Sequence, residues 1–355
     1  MVKDSLSEIG LPRRKPPKFT AERIDMSHGA GGKATHKLIE GLLLPALDNP
    51  ALAPLSDAAT LYYNGVRPVF TTDAYVVRPL IFPGGSIGEL AVNGTINDLA
   101  VSGAIPIGLA SALIIEEGLE TSVLRREVEA MALAARRAGV CIVTGDTKVV
   151  ERGKGDELYI VMSGIGMAPH GLQLSAASIR PGDKILCSGT IGDHGIAILI
   201  ARGNLELEAE VRSDTRALTP LTTALQEAAG DGLRIMRDPT RGGVATVLNE
   251  LARDSDCGIV VWEERLPVKE VVRAACEILG LDPLYIANEG KLLAVVAPDV
   301  ADPALYAMRS IAGGEESTII GEVHSEPARM VLMHTEFGGT RMIDMLIGDP
   351  LPRIC

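Results

Sequence analysis

The chain has 355 residues, which at roughly 150 residues per domain makes about two domains. Lys and Arg number 34 and Asp and Glu 46, for a formal charge of −12, and this acidic balance excludes broad binding to nucleic acid or to anionic membranes. With 46% hydrophobic residues and a mean hydropathy of +0.21 it is no disordered polymer, and four Phe, six Tyr and one Trp leave an aliphatic core. No apolar run approaches the ~20 residues of a membrane helix. The polar, Pro-rich start lacks a signal-peptide core, and five cysteines without a CxxC pair or zinc spacing read as reduced thiols of a cytoplasmic protein.

Residues 1–23 read as a flexible tail, because Pro12, Pro16 and Pro17 prevent a helix and Arg13, Arg14 and Lys15 prefer solvent. The loop His28-Gly29-Ala30-Gly31-Gly32 precedes a helical pattern through Leu38, Ile39, Leu42 and Leu43 that stops before Pro45. Residues 59–63 and 68–77 read as strands joined at Asn64-Gly65, a strong hairpin signal. Helical spacing covers 87–104 and 121–138, with a buried strand over 107–115 between them. A strand over 140–144 is followed by Gly145-Asp146-Thr147-Lys148, and another strand covers 158–165. Pro181-Gly182-Asp183 marks a domain entry, placing a boundary near 168–182. Beyond it, strands (184–188, 258–262, 292–296) mix with helices (194–201, 218–229, 243–252, 268–279), and late strands cover 317–320 and 329–333. The expected fold class is α+β, in two mixed halves over 24–170 and 171–345. Residues 346–355 should be an extended, mobile tail punctuated by Pro350 and Pro352.

Gly32-Lys33 is not a phosphate-binding P-loop, because Ser27 stands where a Gly is required and Ala34 where a Ser or Thr is required. The acidic residues are more informative. Asp73 lies late in a strand, Asp98 on an otherwise apolar helix, Asp146 after a strand, and Asp238 just before a helix; Asp57 is a weaker fifth member. Each alone is explained as a cap or turn, except Asp98, since a carboxylate on a buried helix is costly unless paired or metal-bound. Converging, they would hold Mg²⁺ against a triphosphate. Asn93 and Asn97 share a face of the Asp98 helix, either as a polar seam at a site or as helix-to-loop bonds. Lys148 and Glu289 are candidates for proton transfer or for surface ion pairs. His28 and His194, in glycine-containing segments, are phosphate neighbours or ordinary capping residues. Cys355 ends the chain: a soft nucleophile on a tether, or an accidental thiol on a frayed end.

His28-Gly29-Ala30-Gly31-Gly32, Thr72-Asp73-Ala74-Tyr75, Phe82-Pro83-Gly84-Gly85, Asn97-Asp98-Leu99-Ala100, Gly145-Asp146-Thr147-Lys148, Gly192-Asp193-His194-Gly195, Thr240-Arg241-Gly242-Gly243, Asn288-Glu289-Gly290-Lys291 and Pro352-Arg353-Ile354-Cys355 together resemble the HypE family. These are [NiFe]-hydrogenase maturation factors of the aminoimidazole-ribonucleotide-synthetase (PurM-like) superfamily. The resemblance runs from about residue 24 to the C-terminus.

It implies a PurM-like fold, with ATP binding and homodimerisation in the N-terminal domain. It implies a carbamoyl group placed on Cys355 by the carbamoyltransferase HypF, ATP-dependent dehydration to a thiocyanate, and delivery of cyanide to iron on HypC–HypD. By the same resemblance Asp73, Asp98, Asp146, Asp238 and Asp57 would hold Mg²⁺, and Lys148 and Glu289 would carry proton chemistry. His28, Gly29, Gly31, Gly32, Asn97 and Thr147 would contact ATP. Two other readings stand beside this one: a sister kinase or synthetase of the superfamily, which leaves the terminal thiol unexplained, and a non-catalytic carrier of cargo on Cys355.

Overall fold

The structure, a computed structural model, describes residues 18–47, 49–203, 210–348, 351 and 353–355. Most of the expected N-terminal tail therefore lies outside the described residues. Two sheets organise the chain, one in each half.

The first half opens with short helices α1 (Lys33–Leu38) and α2 (Leu44–Leu47). Strand β1 (Ala59–Thr60) pairs antiparallel with β2 (Pro68–Tyr75), and Asn64 and Gly65 take positive φ at the turn between them, as the hairpin signal required. A small ribbon, β3 (Ile81–Phe82) and β4 (Gly85–Ser86), leads into α3 (Ile87–Val101). Then follow β5 (Ile105–Glu116), α4 (Thr121–Arg137), β6 (Ile142–Val150) and β7 (Leu158–Met167). The sheet order is β1-β2-β7-β5-β6. Helix α3 is buried almost all round because it packs on β2, β7 and β5 on one side and on α4 and the later helix Thr219–Ala229 on the other. Strand β6, by contrast, is exposed along nearly its whole length. The segment 145–148 lies inside that strand: β6 runs parallel to β5 through Asp146 and Lys148, so the strand expected over 140–144 extends to Val150.

The second half contains β8 (Lys184–Cys187), α5 (Asp193–Ala201), α6 (Thr219–Ala229), β9 (Leu233–Arg237), α7 (Gly243–Ser255), β10 (Gly258–Trp262), α8 (Glu270–Leu279), β11 (Leu293–Val296), α9 (Ala301–Arg309), β12 (Thr318–His324), β13 (Val331–His334) and β14 (Thr340–Ile343). Its sheet order is β14-β13-β10-β12-β8-β11-β9, with one aliphatic core under α7 and another under α6 and α9. Sequence patterning missed β9, β14 and α9. The first two are short strands rich in Arg or exposed side chains, and α9 carries Pro303 in its first turn, where proline is tolerated.

Two segments bind the halves together. Helix α1 and the turn after it, assigned from sequence to the first half, form ion pairs with α7: His36 to Glu250 at 3.0 Å and Glu40 to Arg253 at 3.2 Å. Leu351, Ile354 and Cys355 are buried in the first core together with α5. Among the described residues no helix is long and apolar enough to cross a membrane.

Candidate active site

Cys355 does not float free. Its residue is 7% exposed, and the chain end pairs strand-fashion with residues just past β2. The Val76 N–H donates to the Cys355 carbonyl at 3.1 Å, and the Arg353 Nε–H donates to the Val76 carbonyl at 3.1 Å. The Arg353 guanidinium also pairs with Asp156, which Arg78 meets at 2.6 Å. Arg202 donates to the Arg353 carbonyl at 2.5 Å, and His194 Nε2 lies 2.6 Å from the Ile354 carbonyl. The mobile tail expected from Pro350 and Pro352 is thus docked in its described residues. Leu351 and Ile354 supply apolar burial, and Arg202, His194 and the Val76 and Arg78 N–H groups satisfy the carbonyls of an otherwise irregular segment.

Docking brings Cys355 into a small recess lined by Asp73, Tyr75, Asp238, Thr240, Arg241 and Glu289. A neighbouring cleft of about 350 Å³ opens beside it, bounded by Met26, His28, Gly242, Tyr285 and the tail. Arg241 stands 3.7 Å from Asp73, and the negative charge at Cys355 is the main influence raising its pKa. Tyr75 donates to Asp73 at 3.3 Å from below.

The carboxylates behind the recess crowd one another. The Thr71 hydroxyl sits between Asp98 Oδ2 at 2.7 Å and the Asp57 carbonyl at 3.1 Å. Burial, and then the charges of Asp238, Asp73 and Asp57, push Asp98 well above the usual carboxylate range. Asp238 is raised by burial and by Asp57 and Asp73. Burial raises Asp73, with Arg241 opposing, and lifts Asp57 to about 6 against its Arg237 partner at 2.8 Å. Glu289 is pushed well above its usual value by burial, then by Asp238, Asp214 and Asp73, and its Oε1 is buried without a hydrogen-bond partner. Buried, all-oxygen, mutually repelling donors fit a hard divalent cation. Among the described residues no three His, Cys, Asp or Glu side chains already stand close enough to hold one, so the carboxylates must draw together on binding. Asp73, Asp98 and Asp238 are placed to do so, whereas Asp57 is committed to Arg237.

Other sequence candidates lie elsewhere. The register carries Ala74 through Val161 and Ala112 to Asp146, so Asp146 shares a sheet face with Ala74, opposite to Asp73. It is also three strand spacings away, about 14 Å. Asp146 is exposed and bonds Lys148 at 2.6 Å, which with the Thr147 N–H holds its pKa low. Lys148 shares the Asp146 face and Thr147 the Tyr75 face, but all three lie three strands off, so they do not join the recess within one chain.

The glycine loop also departs from expectation. His28 Nδ1 is engaged with Asp25, Gly31 presses on the Arg241 backbone, and Gly32 presses on the Leu346 carbonyl. A Cβ at Gly31 or Gly32 would come within 2.6 or 2.3 Å of those atoms, so both serve close packing here; only Gly29 faces open space. Asn97, read as an ATP contact, spends its whole amide inside the protein. It donates to the Arg216 and Glu289 carbonyls at 3.0 Å each and accepts from the Leu218 N–H at 2.8 Å. Its role is to hold the Glu289 segment against α3. Asn93 similarly bonds Thr215. Sequence reasoning assigned no role to Tyr75, Arg241, Asp214 or Arg237; the first two were visible only inside quoted motifs.

Residues 55–168 match the family described as AIR synthase related protein, N-terminal domain, and residues 180–332 match its C-terminal domain. The chain is 52% identical over 333 residues to the carbamoyl dehydratase HypE of Rhizobium leguminosarum bv. viciae, covering 94% of this chain and 95% of that one. A solved HypE–HypF complex is similar with a TM-score of 0.83 and 46% identity, covering 87% of this chain and 99% of that one. A HypE structure in complex with ATP matches with a TM-score of 0.79 and 46% identity, covering 94% and 100%.

Proposed function

The chain belongs to the HypE family of AIR synthase related proteins, and from that premise we propose that it is an ATP-dependent carbamoyl dehydratase of hydrogenase maturation. In this reading the carbamoyl group is carried on Cys355. The observation that carries it is the terminal thiol residue docked in one recess with Glu289, Asp73, Asp238 and Arg241.

The chemistry runs as follows. HypF places a carbamoyl group on the Cys355 sulfur, giving S–C(=O)–NH₂. Its oxygen is a poor leaving group, so it attacks the γ-phosphorus of ATP, the bond to ADP breaks, and one N–H proton leaves. The resulting S–C(O-phosphate)=NH loses phosphate and its second N–H proton, giving S–C≡N, ADP and phosphate. Asp73, Asp98 and Asp238 would hold a magnesium ion, which would supply charge neutralisation on the phosphates. Arg241 steadies negative charge beside the thiol. Glu289, with its raised pKa, exchanges protons with the substrate nitrogen. The cyano group then passes from the thiol to iron on HypC–HypD, which requires the tail to leave its dock.

Asp146 and Lys148 enter through a homodimer. Strand β6 is an uncovered sheet edge, and with Phe70, Ile107 and Ile165 it exposes an apolar face of the first sheet. A second copy on that face encloses Asp146 and Lys148 at the interface, where ATP binds between subunits. Residues 24–170 then form the ATP-binding and dimerisation domain and 171–345 the C-terminal domain. Reduced thiols and soluble partners suit a cytoplasmic address.

The test is intact mass of the protein incubated with HypF, carbamoyl phosphate and Mg-ATP. The expected result is a carbamoyl adduct of about 43 Da on Cys355 that converts to about 25 Da only when ATP is hydrolysed. Cys355→Ala loses both adducts and keeps ATP affinity. An adduct that never converts leaves a carrier; no adduct on Cys355 removes the thiol from the reaction.

A further inference from the structure

His194 is fully buried, and both ring nitrogens are engaged. Nε2 lies 2.6 Å from the Ile354 carbonyl, which can only accept, so Nε2 carries the proton. Nδ1 lies 2.8 Å from Ser213 Oγ and accepts its proton, while that Oγ accepts the Thr215 N–H at 3.1 Å. The result is one unbroken series of donors, Thr215 to Ser213 to His194 to Ile354, aimed at the residue before the terminal cysteine. The ring itself is set by Phe82, edge-on at 5.7 Å.

The segment that orients His194 also holds the proposed proton-transfer group. Asp214, between Ser213 and Thr215, accepts the Glu289 N–H at 3.1 Å, and Lys291 pairs with Asp214 at 3.5 Å in the interior. The Gly290 backbone lies so close to the Asp214 carbonyl that a Cβ would come within 1.9 Å of it. Ser213 in turn donates its N–H to Pro83 at 2.7 Å, and Thr215 accepts from Asn93 on α3. Three consecutive residues thus tie the tail, the Glu289 segment and the first half of the molecule to one frame.

We propose that His194, oriented by Ser213, is the positioning residue that reads the docked tail at Ile354 and sets the Cys355 sulfur against Glu289. This deepens the dehydratase reading and rests on it for its purpose. Neither residue touches the reacting atoms. His194 acts through the Ile354 carbonyl, one peptide unit from the thiol-bearing residue, and so governs how long the thiol stays in the recess and in what register.

The first readout is alkylation of Cys355 by iodoacetamide, followed by peptide mass in the full-length protein, with exposed Cys141 as internal reference. Losing one buried hydrogen bond shifts docking by about tenfold. His194→Ala is therefore expected to raise the Cys355 rate about tenfold relative to Cys141. Gln can still donate to Ile354 and should restore most of the protection in His194→Gln. Ser213→Ala, which leaves the ring in place but unfixed, should fall between and guards against misfolding of the alanine variant. Equal Cys355 rates in all four proteins, or no rescue by glutamine, would overturn the proposal.

The second readout is turnover. His194→Ala should lower kcat for carbamoyl dehydration by about the same factor and leave KM for ATP within about twofold. A raised KM with unchanged kcat would count against positioning. Alkylation needs no turnover, so wild-type protein that shields Cys355 but never dehydrates sinks the function reading alone.

Discussion

The recess and the β6 edge present the same residue types in opposite physical states. Asp98, Asp238 and Glu289 are enclosed, and their pKa values are pushed up by burial and by one another. Asp146 lies in water on the far sheet face, and Lys148 and the Thr147 N–H draw its pKa down. The first group stores like-charge repulsion that a cation relieves; the second stores nothing and costs nothing until something covers it. A site assembled from both needs a conformational closure at one end and a second molecule at the other.

The comparison breaks most sharply at Asp98. Asp98→Asn should weaken Mg-ATP binding by at least about tenfold, while the melting temperature without divalent cation stays level or rises. Calorimetric titration and a thermal melt on one preparation check both halves. Loss of stability together with unchanged affinity would mean that the carboxylate is structural. On the far sheet face, Phe70 is 45% exposed and lies on the same side of the sheet as Asp146, where a second copy would cover it. Phe70→Glu should shift the protein from dimer to monomer in sedimentation at micromolar concentration. It should lower turnover about as much as Lys148→Ala, leaving the melting temperature within a few degrees. A wild-type monomer, or a fully active Phe70→Glu monomer, would leave Asp146 and Lys148 with no part in catalysis.

Much of this fold was legible in the sequence because its elements obey simple periods. The Asn64-Gly65 hairpin, the apolar α3 and the amphipathic α4 all appear where spacing predicts them. What spacing cannot supply is the side of a sheet on which a residue lands. Asp73 reads as an acidic residue late in a strand and Asp146 as one just after a strand, and only the register through β7 and β5 puts them on opposite faces. The tail failed for a related reason. Its prolines argue for mobility, but Leu351 and Ile354 find an apolar seat on α5 and Arg353 finds Asp156, contacts distant in sequence. Asn97 misled because a buried amide at a site looks the same in sequence whether it meets a ligand or two backbone carbonyls.

A third charged region, where signs balance, sharpens the contrast. Asp57, Arg237, Glu250 and His36 form a chain of contacts of 2.8, 2.8 and 3.0 Å, joining the back of the recess to α1. Burial works against a charged His36, but the bonds to Glu250 and Glu40 outweigh it and lift the imidazole to about 9. Against an unfolded value of about 6.5, that is a raised pKa, so the stabilisation is complete below about pH 6.5 and is lost as pH rises through about 9. Its size is on the order of 1–3 kcal/mol, since the same bond also lowers Glu250 and counts once. Urea denaturation from about pH 6 to about pH 9.5 should therefore show wild-type stability falling by that amount more than His36→Gln, which keeps a hydrogen bond but cannot titrate. Parallel curves would mean that His36 is neutral in the folded protein and that α1 is held to α7 by packing and Glu40–Arg253 alone. A steeper fall in the wild type would establish that charge here is balanced locally, by partners of opposite sign that the neighbouring carboxylates lack.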